Sequence, residues 1–487
     1  MNRHRKNIRG GFDCVESARL TLHVPLLALC AMLFALSACT VGPNYSRPSV
    51  LSPLTYKEAA GLSQSIDDVI GTNWWEVFGD AELSKLEQQV DISNQNIAQA
   101  EARFRQARAL VQEARAAYFP TVTVGLGITG SQPSATASPG PAKTTPAFTE
   151  HSLPIDVSWE LDVWGRIRRT VESSEATAQA SDADLEAARL SARAELAQDY
   201  FQMRSLDAQK QLLDETAVAF QKSLDLTNNR YNSGVASRGD VLQAETQLKT
   251  TQAQAIDVGV QRAQLEHAIA LLIGKAPADL TIPAVPLATQ PPTIPAGVPT
   301  ELLQRRPDVA ATERLVASAN AQIGVAEAAY YPTVSVNVQG GFESSSLAKW
   351  FSALGRFWSA GISMTQTLFD GGLRGAQVNE ARAAYDASVA AYRQTVLAGF
   401  QEVEDNLAAQ RILGEEAQAQ DEAVKAAQQS LAVTMNQYQA GIVSYLNVIV
   451  AQSIALNNQR TAVDILGRRL NATVLLVKAL GGGWKFA

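Results

Sequence analysis

Three carboxylates crowd one short stretch of the chain, Asp156, Glu160 and Asp162 in PIDVSWELDV. Their even spacing places all three on one face of an extended strand. Paired carboxylates can divide acid and base roles in hydrolysis. No nucleophile, phosphate loop or metal-binding constellation accompanies them, however. Of the histidines beyond the N-terminal leader, His151 falls in a predicted loop and His267 on a predicted helix. Neither has a Cys or His partner at metal-ligand spacing. Arg305-Arg306 before Pro307-Asp308 reads as a helix start, with the acid near the positive end of the helix dipole. An enzyme is therefore not expected, nor any cofactor. The three carboxylates read better as a wet, acidic strand surface.

The elements that must carry that surface occur twice. AAYFPTVTV (Ala116–Val124) returns as AAYYPTVSV (Ala328–Val336), with seven of nine positions identical at an offset of 212. RYNSGV from Arg230 is echoed by QYQAGI from Gln437, and LDVWGRIR from Leu161 by TLFDGGLR from Thr367. Three anchors in the same order mark an internal duplication. Each half predicts a helix (Leu83–Tyr118, Glu301–Tyr330), two strands, a very long helix (Arg166–Ser233, Leu373–Ala440), a tight Gly turn and a return helix (Arg238–Ile273, Tyr445–Leu480). Arg166–Ser233 contains neither Gly nor Pro and is rich in strong helix formers. Pro120 and Pro332 stand where helix gives way to strand, because proline cannot continue a helix.

The strands alternate strictly. Ile155, Val157, Trp159, Leu161 and Val163 alternate with polar residues; so do Val122 to Ile128, Val334 to Val338 and Ile362 to Leu368. Period two over about ten residues suits a strand that crosses a membrane, oily outside and wet inside. The same pattern would suit a one-sided soluble sheet, so the N-terminus decides. Arg3, Arg5, Lys6, Arg9 and Arg19 precede or open an apolar run from Leu20 to Ala38, which ends in Leu36-Ser37-Ala38-Cys39. That is signal-peptide layout closing on a lipobox, with Cys39 as the lipidation site. Thr40 after it, rather than Asp, favours the outer membrane. Cys14 and Cys30 leave with the leader, so no disulfide is expected. Cleavage also moves the formal charge of −7 further negative, which disfavours nucleic acid as a partner.

Four strands cannot close a barrel, since the smallest bacterial ones have about eight. An open edge in lipid would leave backbone groups without partners. The strands must then be shared between chains, and a wet interior favours three protomers and about twelve strands over a side-chain-filled eight. The long helices would run ~100 Å at ~1.5 Å per residue, far beyond a bilayer's thickness. The expected fold is an α+β membrane protein: a trimeric twelve-stranded β-barrel, four strands per chain, continuing into a long periplasmic α-helical barrel. Its segments would be a signal peptide (1–38), a lipid-anchored extended segment (39–82), a first repeat (83–280), a Pro-rich linker (281–300), a second repeat (301–480) and a tail (481–487). Asp156, Glu160 and Asp162 would line the lumen.

The chain resembles the outer-membrane factor family, the TolC-like channels, in the lipoprotein branch that serves resistance-nodulation-division pumps. The resemblance rests on CTVGPNY from Cys39, WWEVFGD from Trp74, WELDVWG from Trp159, LLIGKAP from Leu271, LQRRPDV from Leu303 and the terminal LGGGW from Leu480. It implies a homotrimer seated in outer-membrane lipid, with a periplasmic adaptor and a proton-driven inner-membrane pump as partners. It implies a passive efflux channel for small molecules, closed at the turns Tyr231–Asp240 and Tyr438–Leu446. Relatives place a Leu, an acid and an Arg beside the second turn; here the positions read Leu446, Val450 and Ser453. Leu446 and Val450 are therefore the expected gate, with Asp240 as the nearest charge or simply a helix N-terminal acid. A type I protein-secretion channel shares this architecture. A coiled-coil lipoprotein scaffold would not need the lipid-facing alternation.

Overall fold

The computed structural model describes residues 40–59, 71, 73–132, 134, 146–295 and 297–484. The leader and Cys39 lie outside them. In chain order the elements are α1 (Ala81–Ser93), α2 (Gln95–Ala116), β1 (Thr121–Val124), β2 (Gly127–Ser131), β3 (Phe148–Leu161), α3 (Arg166–Asn232) and α4 (Arg238–Leu272). Then follow α5 (Pro299–Arg305), α6 (Pro307–Ala328), β4 (Thr333–Ser344), β5 (Arg356–Thr365), α7 (Leu373–Gln439) and α8 (Tyr445–Ala479). The duplication is visible in the lengths: α3 and α7 have 67 residues each, α4 and α8 have 35, and α2 and α6 have 22.

The expected leading helix of each half is broken once. After α1, Asn94 is extended, and its Oδ1 accepts from the N–H groups of Asn96 and Ile97, opening α2 as a new helix. In the second half the break falls at Arg306, which is extended because Pro307 follows it. Both breaks lie at the offset that separates the two repeated phrases, so the kink belongs to the repeat.

The chain forms two compact units: residues up to 47 with 107–177 and 315–388, and residues 48–106 with 178–314 and 389–487. The first holds an antiparallel sheet. Its five segments occupy four lanes, since β1 and β2 both pair with β3, followed by β4 and β5. β1 and β2 keep one register and are interrupted opposite Pro154, which has no N–H to donate to the ladder. The strands also reach beyond their predicted ends. Phe148 to Leu153 pair with β2 or β4, which places His151 in β3 rather than in a loop, while Leu368 lies past the end of β5.

The second unit is helical. Its core includes Trp74, Trp75, Leu83, Tyr200, Phe201, Leu213 and Leu248, all essentially inaccessible to solvent. Among them α1 buries a carboxyl group. Glu87 is 0% exposed, and neither of its oxygens has a hydrogen-bond partner among the described residues. Burial drives its pKa well above the ordinary value; nearby Arg193 offsets this in part, and Asp91 reinforces it. Arg193 is engaged elsewhere, hydrogen-bonded to Asp91 (3.1 Å) and 5.0 Å from the Trp75 ring centre. In the unfolded chain Glu87 ionises near its ordinary pKa, whereas the folded chain retains the proton. Stability therefore falls as pH rises from the ordinary carboxylate range toward the raised folded value. Glu87→Gln should flatten the wild-type loss of thermal stability between pH 5 and pH 8, measured by melting in detergent. An unchanged slope would show that other groups set it.

Candidate functional site

The register of the sheet sorts its side chains into two faces. Thr123, Asp156, Gln339 and Ser359 form one row across all four lanes, and Thr121, Ser158, Asn337 and Gly361 another. On the opposite face Val122, Val157, Val338 and Ala360 align, as do Trp159, Val336 and Ile362, and then Leu161, Val334 and Met364. That oily face is bare over much of its area. Val122 is 63% exposed, Val124 71%, Ile362 74%, Met364 70% and Trp358 81%. An apolar patch of this extent is a contact surface for something apolar. Among the described residues no helix is long and apolar enough to cross a membrane.

The three carboxylates do not act alike. Asp156 sits within β3 on the polar face, opposite Thr123 and Gln339. Glu160 is on the same strand, but its carboxylate is forked by Arg166, with Nε at 3.0 Å and Nη2 at 2.7 Å. Asp162 lies one residue beyond β3. There it accepts from the backbone N–H groups of Ile167 (2.8 Å) and Arg168 (2.9 Å), fixing the start of α3. Its counterpart Asp370 accepts from Gly372 and Arg374 at the start of α7. Its pKa is held below the ordinary value by Arg374 first, with the two backbone N–H groups adding to the effect. These residues are therefore not the single acidic strip their spacing suggests, because Arg166 and Arg168 pair with two of them. Their signal was the arginine pair in WGRIR.

Pro120 and Pro332 both occupy a helix-to-strand junction. The last turn before each tightens, with Tyr118 N bonded to Arg115 O and Tyr330 N to Glu327 O. Tryptophans clip both junctions. Trp159 Nε1 donates to Tyr118 O (3.0 Å), Trp164 Nε1 donates to Pro332 O (2.8 Å), and the Trp164 ring stacks on Tyr331. These roles were hidden in the sequence, where Trp159 counted only as an apolar strand residue.

At the other ends of the long helices the chain turns at Gly234 and Gly441, both with positive φ. Val235 N bonds to Arg230 O (2.8 Å) and Ile442 N to Gln437 O (2.9 Å), closing α3 and α7 in the same way. Ser237 and Asp240 form a reciprocal capping box at the start of α4. Asp240 is thus a structural acid as well as a charge. Leu446 is 55% exposed and Val450 51%, while Tyr445 just before them and Val448 between them are buried with Ala244 and Tyr438. Alternate faces of α8 are therefore committed, one to the core and one left bare. Tyr438 ties the two turns together: its hydroxyl meets Thr227 Oγ1 (3.1 Å), and Arg230 Nη1 donates to its carbonyl (2.5 Å) while lying over its ring. Arg230 and Tyr438 were not singled out from sequence.

The sheet thus has one wet and one oily face, and the two 67-residue helices α3 and α7 follow β3 and β5 in the chain. The family model described as outer membrane efflux protein matches residues 86–275 and 298–482, and the chain belongs to that family. It is 31% identical over 465 residues to the probable efflux pump outer membrane protein TtgC of Pseudomonas putida, covering 94% of this chain and 96% of the relative. It is 30% identical over 466 residues to the outer membrane protein OprJ of Pseudomonas aeruginosa, with 94% and 96% covered. Among solved structures, the outer-membrane channel OprN superposes with a TM-score of 0.86 at 30% identity, covering 92% of this chain and all of that one. The protein is thus an outer-membrane efflux channel of largely helical build.

Capping and charge can be separated at the tip. Asp240→Asn keeps an oxygen for Ser237 and removes the charge, so it should lower cation preference in planar bilayers while leaving conductance nearly unchanged. Asp240→Ala should in addition destabilise the start of α4, because it removes one arm of the capping box. Equal selectivity in wild type and Asp240→Asn would remove Asp240 from the conduction path.

Proposed function

We propose that this chain is the exit duct of a tripartite efflux system, a passive conduit for small molecules assembled from three copies. One observation carries this reading. The sheet has a bare oily face, yet its outer lanes, β1 with β2 and β5, each pair on one side only among the described residues. In a bilayer an unpaired ladder edge costs several kcal/mol per backbone group. Joining the β5 edge of one protomer to the β1 and β2 edge of the next removes all such edges. Three protomers then give about twelve strands around a wet lumen. Asp156, Asn337, Gln339 and Ser359 would face that lumen.

The remaining assignments follow from this assembly. Cys39 carries the lipid, residues 39–82 form the anchored segment, the repeats 83–280 and 301–480 build the wall, and residues 281–300 link them. The long helices continue the barrel into the periplasm, where a periplasmic adaptor and an inner-membrane resistance-nodulation-division pump engage them. Leu446 and Val450, bare on α8 beside the turn, would meet their symmetry copies on the axis, and a narrow apolar ring gates by excluding water. The relatives' names as efflux pump outer membrane proteins support a transport function.

Purified protein should be a trimer by mass measurement in detergent, and a population of monomers alone would overturn the barrel. Ile362→Arg places a charge on the lipid face, where arginine costs about 2–4 kcal/mol near the midplane. It should reduce folded trimer in membranes, whereas Gln339→Arg on the other face should leave the trimer intact and lower cation preference. The reverse pattern would invert the faces. Leu446→Ser should raise single-channel conductance and antibiotic leakage; wild-type values for both would move the constriction elsewhere.

A further inference from the structure

The chain just after Cys39 is fastened to the first unit. Val41 N donates to Trp164 O (3.1 Å), and the buried Arg169 donates from Nε to Val41 O (3.2 Å) and from Nη2 to Gly42 O (3.1 Å) and Asn44 Oδ1 (3.0 Å). Asn320 Nδ2 donates to Pro43 O (2.9 Å). Gly42 has φ +92°, and a Cβ on it would stand 2.4 Å from the Gly324 Cα. The path from Val41 to Asn44 is thus fixed by five hydrogen bonds and by backbone packed on backbone.

Val41 also forms one wall of a cavity of about 420 Å³, completed by Glu327, Tyr330, Val378, Asn379 and Arg382 among others. That volume lies in the range of small-molecule sites, about 300–1,000 Å³. Its chemistry is mixed. Val41 and Val378 offer apolar surface, and Tyr330, Asn379 and Arg382 offer hydrogen-bond donors. Arg382 is steadied by Glu327 at 2.9 Å. Tyrosine beside such a group suits the membrane–water boundary. Cys39 precedes Val41 by two residues in the sequence, and two residues of chain span at most about 7 Å.

We propose that this cavity seats the glyceryl-ester end of the lipid borne by Cys39, so that the anchor is docked on its own protomer rather than tethered loosely. The inference rests on the acylation of Cys39 argued above. Ester carbonyls only accept hydrogen bonds, which matches the donors of Tyr330, Asn379 and Arg382, while the glyceryl carbons and first methylenes lie along Val41 and Val378. Arg169 is the positioning residue, because it holds the backbone that aims the lipid at the cavity.

The test uses cells fed a fatty acid with a photoreactive diazirine close to its carboxyl end, followed by illumination and mass spectrometry of the purified full-length trimer. Adducts on Tyr330 or on the 375–382 peptide of the same chain are expected. Val378→Trp, which fills the cavity, should abolish those adducts while the acyl mass on Cys39 and the trimer persist. Gly42→Ala should also displace them, through its collision with Gly324. Adducts confined to phospholipid or to strand residues, or adducts at Tyr330 that survive Val378→Trp, overturn the docking with acylation intact. An unmodified Cys39 overturns acylation and docking together.

Discussion

A backbone hydrogen-bond ladder that ends in lipid has nothing to pair with, and the rest of the molecule is arranged around that fact. The chain contributes four antiparallel lanes whose outer ones pair on a single side. In water such edges would be tolerable, because solvent takes the place of the missing strand. With one face made of exposed Val, Ile, Met and Trp, the sheet as proposed lies in hydrocarbon, where no solvent replaces it. Edge pairing between copies is the economical resolution, and it makes the proposed trimer a condition of folding in the membrane. In the proposed barrel, twist and closure of the shared sheet would set the width of the lumen.

The same constraint explains the care taken at the junctions. Each strand pair is delivered by helices, so four helix ends converge on the sheet in every chain. Proline stops the incoming helices, tightened last turns set their exit, and Trp159 and Trp164 donate to the carbonyls left over. At the outgoing helices Asp162 and Asp370 take up the first free N–H groups, and an arginine of the same turn balances each carboxylate. A residue type that looked like lumen charge in the sequence is thus partly scaffold. Of the three acids, Glu160 is forked by Arg166, Asp162 pairs with Arg168, and Asp156 alone carries no ion pair among the described residues.

Duplication gives two hairpin tips of one design that have diverged in detail. Both end a long helix on a positive-φ glycine and open the next on serine. The first completes a capping box through Asp240, while the second has Asn447 at that place and no side-chain cap. Nearly identical backbones can therefore differ in charge and firmness. Tyr438, held by Thr227 and Arg230, couples one tip to the other. Motion at either tip would have to break or carry that contact.

Much of this was written locally. The repeat, the helix lengths, the proline junctions and the alternating strands are patterns of residue type at fixed spacing, and secondary structure responds to such patterns directly. The expectation of partner strands also comes from sequence, because it depends only on a strand count, an oily strand face and hydrogen-bond satisfaction in lipid. What sequence left open depended on contacts between distant segments. The kink at Asn94 involves its amide bonding to Leu272, far along the chain. The pairing of Glu160 with Arg166, the clipping of Pro332 by Trp164 and the seating of Val41 under Arg169 likewise required the chain to fold back on itself. Glu87 is the clearest case: one of three acids on a polar-looking helix, it is buried, and its pKa driven well up, only by the packing of the folded chain.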